Sequence, residues 1–172
     1  MLYYREISLK DQRKCLLKNA ERADAAAFLH YFTQAHVETD FLTTYADEGT
    51  HSVEDMEERL AAQKASRTEI EICAFVDGIL VGSAGNHALS TREKLRHRAD
   101  FGISILREYW GQGIGAALME YAKQEHRADH LWVLEKNERA IRFYEAHGFS
   151  LSGQRRLEAG TTEYVIKMLA IE

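Results

Sequence analysis

The pattern of apolar and polar positions predicts that the first third of the chain is largely helical. Residues 2–7 have the short, aromatic and β-branched character of a strand. Apolar residues then recur at spacings of three and four over residues 11–34, which predicts an amphipathic helix. Ser52 and Asp55 form a capping signal that starts a second predicted helix, over residues 52–66.

The rest of the chain is predicted to alternate between strands and helices. Two apolar runs joined by Asp77-Gly78 predict a hairpin, because an Asp-Gly pair favours a tight turn. The further predictions are strands at 99–106, 131–134, 149 onward and 161–169, and helices at 116–126 and 138–147, the last ended by Gly148. The predicted order βααβββαβαββ has a mostly antiparallel front and a parallel crossing. It indicates an α+β fold of three α/β/α layers, in a single domain over residues 1–172.

Composition narrows the classes of function. A formal net charge of -5 argues against binding nucleic acid through its phosphates, which needs a basic face. The N-terminal residues lack a signal peptide's apolar core, and the longest uncharged stretch, residues 78–91, is too short to span a bilayer. Cys15 and Cys73 give no disulfide framework. We therefore expect a cytoplasmic protein with a small, soluble partner, and neither a nucleic acid nor a membrane.

A glycine-rich segment carries most of the chemical information. Residues 109–118 read YWGQGIGAAL, directly after a predicted strand and before a predicted helix. Such a loop can direct backbone N–H groups and a helix N-terminus at one phosphate. It is either a pyrophosphate cradle or a tight turn with close helix packing. It is not a Walker loop, and its glycine spacing departs from the dinucleotide fingerprint.

A second segment adds specificity. Residues 131–149 read LWVLEKNERAIRFYEAHGF, in which Asn137 is a good N-cap and Tyr144 lies two turns later on nearly the same helical face. Taken alone, a tyrosine in such a helix is more commonly a core aromatic whose hydroxyl is hydrogen-bonded. Together the two segments resemble the GNAT superfamily of N-acetyltransferases. The first matches Arg/Gln-x-x-Gly-x-Gly/Ala except at its first residue, and the second matches Asn-x-x-Ala-x-x-x-Tyr-x-x-x-Gly-Phe.

The resemblance implies an acetyltransferase that uses acetyl-coenzyme A as cosubstrate and no metal. The pantetheine arm would pair with a strand backbone, and the pyrophosphate would accept N–H groups of the loop. The implied cofactor-binding residues are Ile103, Ser104, Ile105, Gly111, Gln112, Gly113, Ile114, Gly115, Ala116 and Asn137. The resemblance further implies that Tyr144 protonates the departing thiolate and that the N–H of Ile105 stabilises the oxyanion.

The chain departs from the family pattern at one position. Trp110 stands where Arg or Gln is usual, so more of the phosphate binding would fall to the backbone. The strand before Asn137 holds no carboxylate of the kind that some members carry there. The general base is therefore open between water and Asp100, Glu71 or His87, and residues of these kinds are more commonly structural or solvent-facing than catalytic.

The acceptor amine is not specified by the sequence. An acidic, aromatic loop after the first predicted helix favours a small cationic amine such as a polyamine, although amino acids, protein N-termini and aminoglycosides stay open. The loop residues concerned are His36, Glu38, Asp40, Tyr45, Asp47 and Glu48. The alternative is a sensor of the same fold that binds acetyl-coenzyme A without turnover, against which the presence of Tyr144 argues. A homodimer is compatible with the resemblance, but no residue pattern requires one.

Overall fold

The computed structural model describes residues 3–39, 41, 52–66, 69–88, 99–126 and 129–171. Within these ranges it has eight strands and four α-helices. They are β1 (Tyr4–Ser8), β2 (Lys14–Asn19), α1 (Ala25–Glu38), α2 (Val53–Ala65), β3 (Ile70–Val76), β4 (Ile79–Ala88), β5 (Ala99–Ile105), α3 (Ile114–His126), β6 (His130–Leu134), α4 (Glu138–Ala146), β7 (Phe149–Leu157) and β8 (Tyr164–Ala170). Short 3-10 turns precede α1, at Arg22–Asp24, and follow β5, at Arg107–Tyr109.

The chain divides into two compact units, Met1–Met119 and Glu120–Glu172. The first unit holds a five-stranded antiparallel sheet in the order β1-β2-β3-β4-β5. Helix α1 packs against β4 and α2, and α2 packs against β3. Strand β3 lies in the middle of the sheet and is almost entirely buried, as the apolar run over residues 72–76 predicts.

The predicted helix over residues 11–34 is wrong in its first half, where the structure has strand β2. Cys15, Leu17 and Asn19 are buried and alternate with less buried neighbours, which is the period of a strand. Strand β2 pairs with β1 and with β3, and these partners override the local helical spacing. The turn before it places Gln12 at a φ of 71°. The helix begins only at Ala25 and continues to Glu38.

Local signals elsewhere are confirmed. Both residues of the hairpin turn between β3 and β4, Asp77 and Gly78, have positive φ, as a two-residue turn of this kind requires. At the start of α2 the Ser52 side chain accepts a hydrogen bond from the N–H of Asp55, while the Asp55 side chain accepts one from the N–H of Ser52. This reciprocal pair is the predicted capping box.

The second unit holds a three-stranded antiparallel sheet in the order β6-β8-β7, together with α4. Gly148 ends α4 with a φ of 81°, as predicted. The element order is ββααβββαβαββ, one strand more than predicted. All strand pairings that the structure describes are antiparallel, and the predicted parallel crossing is not among them. That the whole chain forms a single domain stays a prediction.

Two expectations from composition can be compared with the structure. Cys15 and Cys73, which were not expected to form a disulfide framework, are free and buried. Among the described residues, no helix has both the length and the apolar character that a membrane crossing demands.

The substitution Gln12→Gly distinguishes a turn from a helix at this position. A side chain at positive φ costs about 1–2 kcal/mol, which glycine removes while adding about 0.5–1 kcal/mol of chain entropy to the unfolded state. We therefore expect urea unfolding to show equal or slightly higher stability for Gln12→Gly. The control Glu58→Gly, at an exposed interior position of α2, should lose about 1 kcal/mol. An equal loss in both variants would contradict the turn.

Candidate functional site

Among the described residues, strand β5 is the last strand of the five-stranded sheet, and β4 is its partner in that sheet. The N–H of Leu106 donates to the carbonyl of Val81 at 2.9 Å, so the backbone groups of residue 106 point toward β4. Because backbone direction alternates along an antiparallel strand, the N–H and C=O groups of Ile103 and Ile105 point away from β4. The strand therefore presents them along the edge that β4 leaves open.

Trp110 has a structural role at the end of this edge. Its indole Nε1 donates a hydrogen bond of 2.7 Å to the carbonyl of Ile105. The guanidinium of Arg107 lies over its ring, 5.6 Å from the centroid. Trp110 thus fixes the end of β5 against the start of the glycine loop. This contact takes up the Ile105 carbonyl and leaves its N–H directed outward.

The glycine loop, residues 110–113, leads directly into α3. Gly111 and Gly113 have φ values of 76° and 103°, and a Cβ added at either position would meet no atom of the described residues within 4 Å. The first hydrogen bond of α3 runs from Ala117 N–H to the Gly113 carbonyl. The N–H groups of Ile114, Gly115 and Ala116 therefore lie ahead of the bonded ladder, where a helix offers its orphan donors and the positive end of its dipole.

Gln112 connects the loop to the turn between β1 and β2. Its carbonyl accepts a hydrogen bond from Lys10 N–H at 3.4 Å, and its side-chain oxygen accepts one from Asp11 N–H at 3.3 Å. Asp11 is in turn held by Arg13, whose guanidinium lies 2.8 Å from its carboxylate. The oxygen atoms of Gln112 thus position the loop, and its backbone N–H and side-chain NH₂ are the donors that fit the predicted role toward a phosphate.

In the second unit, Asn137 and Tyr144 occupy the two ends of α4. The Asn137 side-chain oxygen accepts a hydrogen bond from Ala140 N–H at 3.1 Å, which confirms it as the N-cap. Its amide NH₂ is the group that remains for a ligand. Tyr144 is buried, with its ring edge-on to Phe143 and Phe149. Burial raises the pKa of Tyr144 to about 12, so its phenol keeps its proton at neutral pH.

Of the three candidate bases, Glu71 is the one whose side chain the structure describes. It lies on β3, buried within the sheet, and burial raises its pKa to about 7, against smaller opposing effects of a hydrogen bond with Ser83 and the charge of Arg59. No local sequence signal pointed to Ser83 or Arg59 as neighbours, because the strand register and the helix packing bring them there. The side chains of His87 and Asp100 lie outside the described part.

The predicted acceptor loop is described only at its start. Glu38 accepts a hydrogen bond from Arg107 N–H at 2.6 Å, and its carbonyl accepts another from the Arg107 guanidinium. The ring of His36 lies against that of Phe32, with centroids 4.0 Å apart and the ring planes tilted by 50°. Through these contacts both residues have a structural role at the C-terminal end of α1. The remaining predicted residues, Asp40, Tyr45, Asp47 and Glu48, lie outside the described residues.

Comparison with known proteins assigns the class. The sequence profile of the Acetyltransferase (GNAT) family matches residues 29–149, more than half of the chain. The chain belongs to this family. The predicted family, its α+β fold and the enzyme class, an N-acetyltransferase, are thereby confirmed.

Individual relatives agree with this assignment. An acetyltransferase of the GNAT family from Streptococcus pneumoniae has 32% sequence identity and a TM-score of 0.77, covering 90% of this chain and 97% of that one. The Salmonella typhimurium protein yncA, solved with its cofactor acetyl-coenzyme A, has 17% identity and a TM-score of 0.72, covering 91% and 93%, and shares the fold. Peptidyl-lysine N-acetyltransferase YiaC of Escherichia coli is 50% identical over 40 residues, 23% of this chain. That match spans only 27% of the length of YiaC.

A matched pair of glycine substitutions tests the loop as a phosphate cradle. Gly111 and Gly160 have φ values of 76° and 78°, and a Cβ added at either one would meet no atom within 4 Å in the part of the chain that the structure describes. Valine at either site meets the same backbone strain, but only Gly111→Val places a side chain over the loop. We expect calorimetry to show coenzyme A affinity reduced at least about tenfold in Gly111→Val, equal to about 1.4 kcal/mol, and unchanged in Gly160→Val. Equal affinity in both would contradict the cradle.

Proposed function

We propose that this chain transfers the acetyl group of acetyl-coenzyme A directly to a primary amine within a ternary complex. The observation that carries the proposal is the continuity of the β5 edge with the glycine loop. Outward-facing amide groups at Ile103 and Ile105 are followed, at residues 114–116, by the N–H groups that precede the hydrogen-bonded ladder of α3. A ligand with an amide-containing arm that ends in a pyrophosphate needs backbone amide groups along the arm and N–H donors at its phosphate end.

Each predicted cofactor-binding residue has a role in this proposal. The backbone of Ile103 pairs with the arm, and Ser104 keeps the strand in register with β4. Gly111 and Gly113 leave room for the phosphates, which the N–H groups that begin α3 then bind. Asn137 donates from its amide NH₂ to the arm.

The chemical step needs an oxyanion donor and a proton donor. The N–H of Ile105 faces the open edge and stabilises the oxyanion that forms when the amine nitrogen attacks the thioester carbonyl. Tyr144 stabilises the departing thiolate by donating its phenolic hydrogen. With a pKa of about 12 the phenol remains protonated throughout the neutral range, so the donor is always in its competent form.

For the acceptor we propose an alkylamine that is cationic in water. YiaC acts on peptidyl-lysine, and a polyamine presents the same kind of primary ammonium group on a flexible chain. The carboxylate of Glu38 is engaged by Arg107, so it gives little support to the acidic-loop argument for polyamines. Polyamines and lysine side chains are therefore compared directly in the experiment below.

Non-catalytic binding of acetyl-coenzyme A is the second candidate function. A protein of this kind would bind acetyl-coenzyme A through the same β5 edge and glycine loop as the enzyme. Unlike the enzyme, it would not need a proton donor. Tyr144 favours the enzyme, because its phenol stays protonated at neutral pH and can therefore donate a proton to the thiolate, which a binding module does not need.

The direct test follows release of free coenzyme A with a thiol reagent, across polyamines, lysine peptides, amino acids and aminoglycosides. Calorimetry of coenzyme A binding runs in parallel. We expect release with a primary alkylamine and a mass increase of one acetyl group on that amine. Tight binding without release from any acceptor would favour the sensor, and absence of binding would overturn both functions.

Removing the phenolic hydroxyl tests Tyr144. We expect Tyr144→Phe to lower kcat by roughly 10²- to 10⁴-fold, the range for loss of a general acid, while coenzyme A affinity stays within about twofold of wild type. Tyr4→Phe is the control, since Tyr4 is 74% exposed on β1. Unchanged kcat in Tyr144→Phe would remove this residue from the mechanism.

A further inference from the structure

A row of polar side chains crosses one face of the five-stranded sheet. Cys73, Ser83 and Ser104 are direct register partners on β3, β4 and β5, so their side chains share a face. Glu71 lies two residues before Cys73 and therefore on the same face. Tyr31 enters this face from α1 and is almost completely buried.

These groups are joined by hydrogen bonds. The Tyr31 hydroxyl donates to the Ser104 carbonyl at 2.9 Å and is in short contact with the Ser104 hydroxyl. Tyr31 also has a hydrogen bond with Ser83, and Ser83 has one with Glu71. We call Ser104, Tyr31 and Ser83 the hydroxyl chain. It runs from the edge strand to a carboxyl group in the interior of the sheet.

The sheet has a recess for that carboxyl group. Gly85 is the register partner of Glu71, and a Cβ at Gly85 would lie 2.4 Å from Glu71 Oε2. Any larger residue at this position of β4 would displace the carboxyl group. The close fit of the two residues fixes the inner end of the hydroxyl chain.

The outer end of the hydroxyl chain lies beside the proposed reaction centre. Ser104 is half-buried on β5 and immediately precedes Ile105, the proposed oxyanion donor, so their Cα atoms are about 3.8 Å apart. A primary alkylamine has a pKa near that of lysine, about 10.4, and must lose a proton before it can attack. We propose that the Glu71 carboxylate accepts this proton through the hydroxyl chain. The inference rests on the proposed function.

The proton transfer balances along the chain. The acceptor ammonium gives one proton to the Ser104 oxygen, and each hydroxyl passes its own proton inward as it receives another. The Tyr31 O–H turns from the Ser104 carbonyl toward Ser83 for its step, and Glu71 ends protonated. The neutral amine then attacks the thioester, the C–S bond breaks, and the second amine proton goes to the thiolate by way of Tyr144. Glu71 returns its proton to solvent along the same chain.

The charges around Glu71 are compatible with this role. Its pKa of about 7 means that the carboxylate form, which alone accepts a proton, increases as the pH rises through about 7. Arg59 of α2 faces it and favours that form. Lys18 of β2 and Asp24, before α1, face the neighbouring Cys73, and they form an ion pair with each other at 2.7 Å.

The experiment measures kcat against pH for five proteins with the amine that wild type acetylates. They are wild type, Glu71→Gln, Tyr31→Phe, the double variant, and Ser152→Ala. Ser152 is the control because it is half-buried in β7 and donates its hydroxyl hydrogen to the Lys167 carbonyl, outside the hydroxyl chain. Circular dichroism and coenzyme A affinity establish that each variant is folded.

We expect wild type and Ser152→Ala to lose activity below about pH 7, with one ionisation. Glu71→Gln and Tyr31→Phe should each lose that ionisation and roughly 10²-fold or more in kcat. The double variant should be no slower than the slower single variant, because both remove one path. A merely structural pair would keep the wild-type ionisation, because the pH dependence of kcat would then come from another group.

Two outcomes overturn the inference in different ways. If wild type acetylates an amine while folded Glu71→Gln or Tyr31→Phe retains the ionisation near pH 7, the hydroxyl chain is not the proton path and the proposed function stands. If wild type binds coenzyme A but acetylates no amine in the panel, the proposed function fails, and the hydroxyl chain fails with it.

Discussion

In the part of the chain that the structure describes, strand β5 is hydrogen-bonded to a neighbour on one side only within its sheet, and the other features of the candidate site depend on this asymmetry. Hydrogen bonding to β4 fixes which residues turn their backbone groups outward, namely Ile103 and Ile105. The same register turns the side chain of Ser104 toward Tyr31 on the covered face. One strand thereby offers backbone groups along its edge and a hydroxyl on its face, and different residues serve the two purposes.

Trp110 shows how a departure from the family pattern can be accommodated. A phosphate needs donors rather than a particular side chain, and the start of α3 supplies backbone donors. The position after β5 is thus available for an indole that binds the Ile105 carbonyl. The loop keeps its place through this contact and through Gln112, so its glycines remain open on the side where a ligand would approach.

Features encoded by short stretches of sequence were predictable, and those that depend on distant partners were not. The Asp77-Gly78 turn, the Ser52 capping box and the Asn137 N-cap each involve residues within three positions of one another. The strand at Lys14–Asn19 was missed, because its apolar residues fit both periods and only β1 and β3 decide between them. The link from Glu71 to Ser104 was equally hidden, since it passes through three strands and a helix.

Burial of Glu71 lowers the stability of the folded protein at neutral pH, and it also gives the carboxyl group a pKa suited to accepting a proton. Its folded pKa of about 7 lies above the ordinary glutamate value of 4.5, so protonation stabilises the folded protein and this contribution is lost as the pH rises from about 4.5 through about 7. At neutral pH the buried carboxylate therefore costs stability that an apolar residue opposite Gly85 would not. A carboxyl group in an otherwise apolar core is unfavourable for packing, and such unfavourable positions are found mainly at functional sites. A proton acceptor must have a pKa near the working pH, and burial is what gives Glu71 such a pKa.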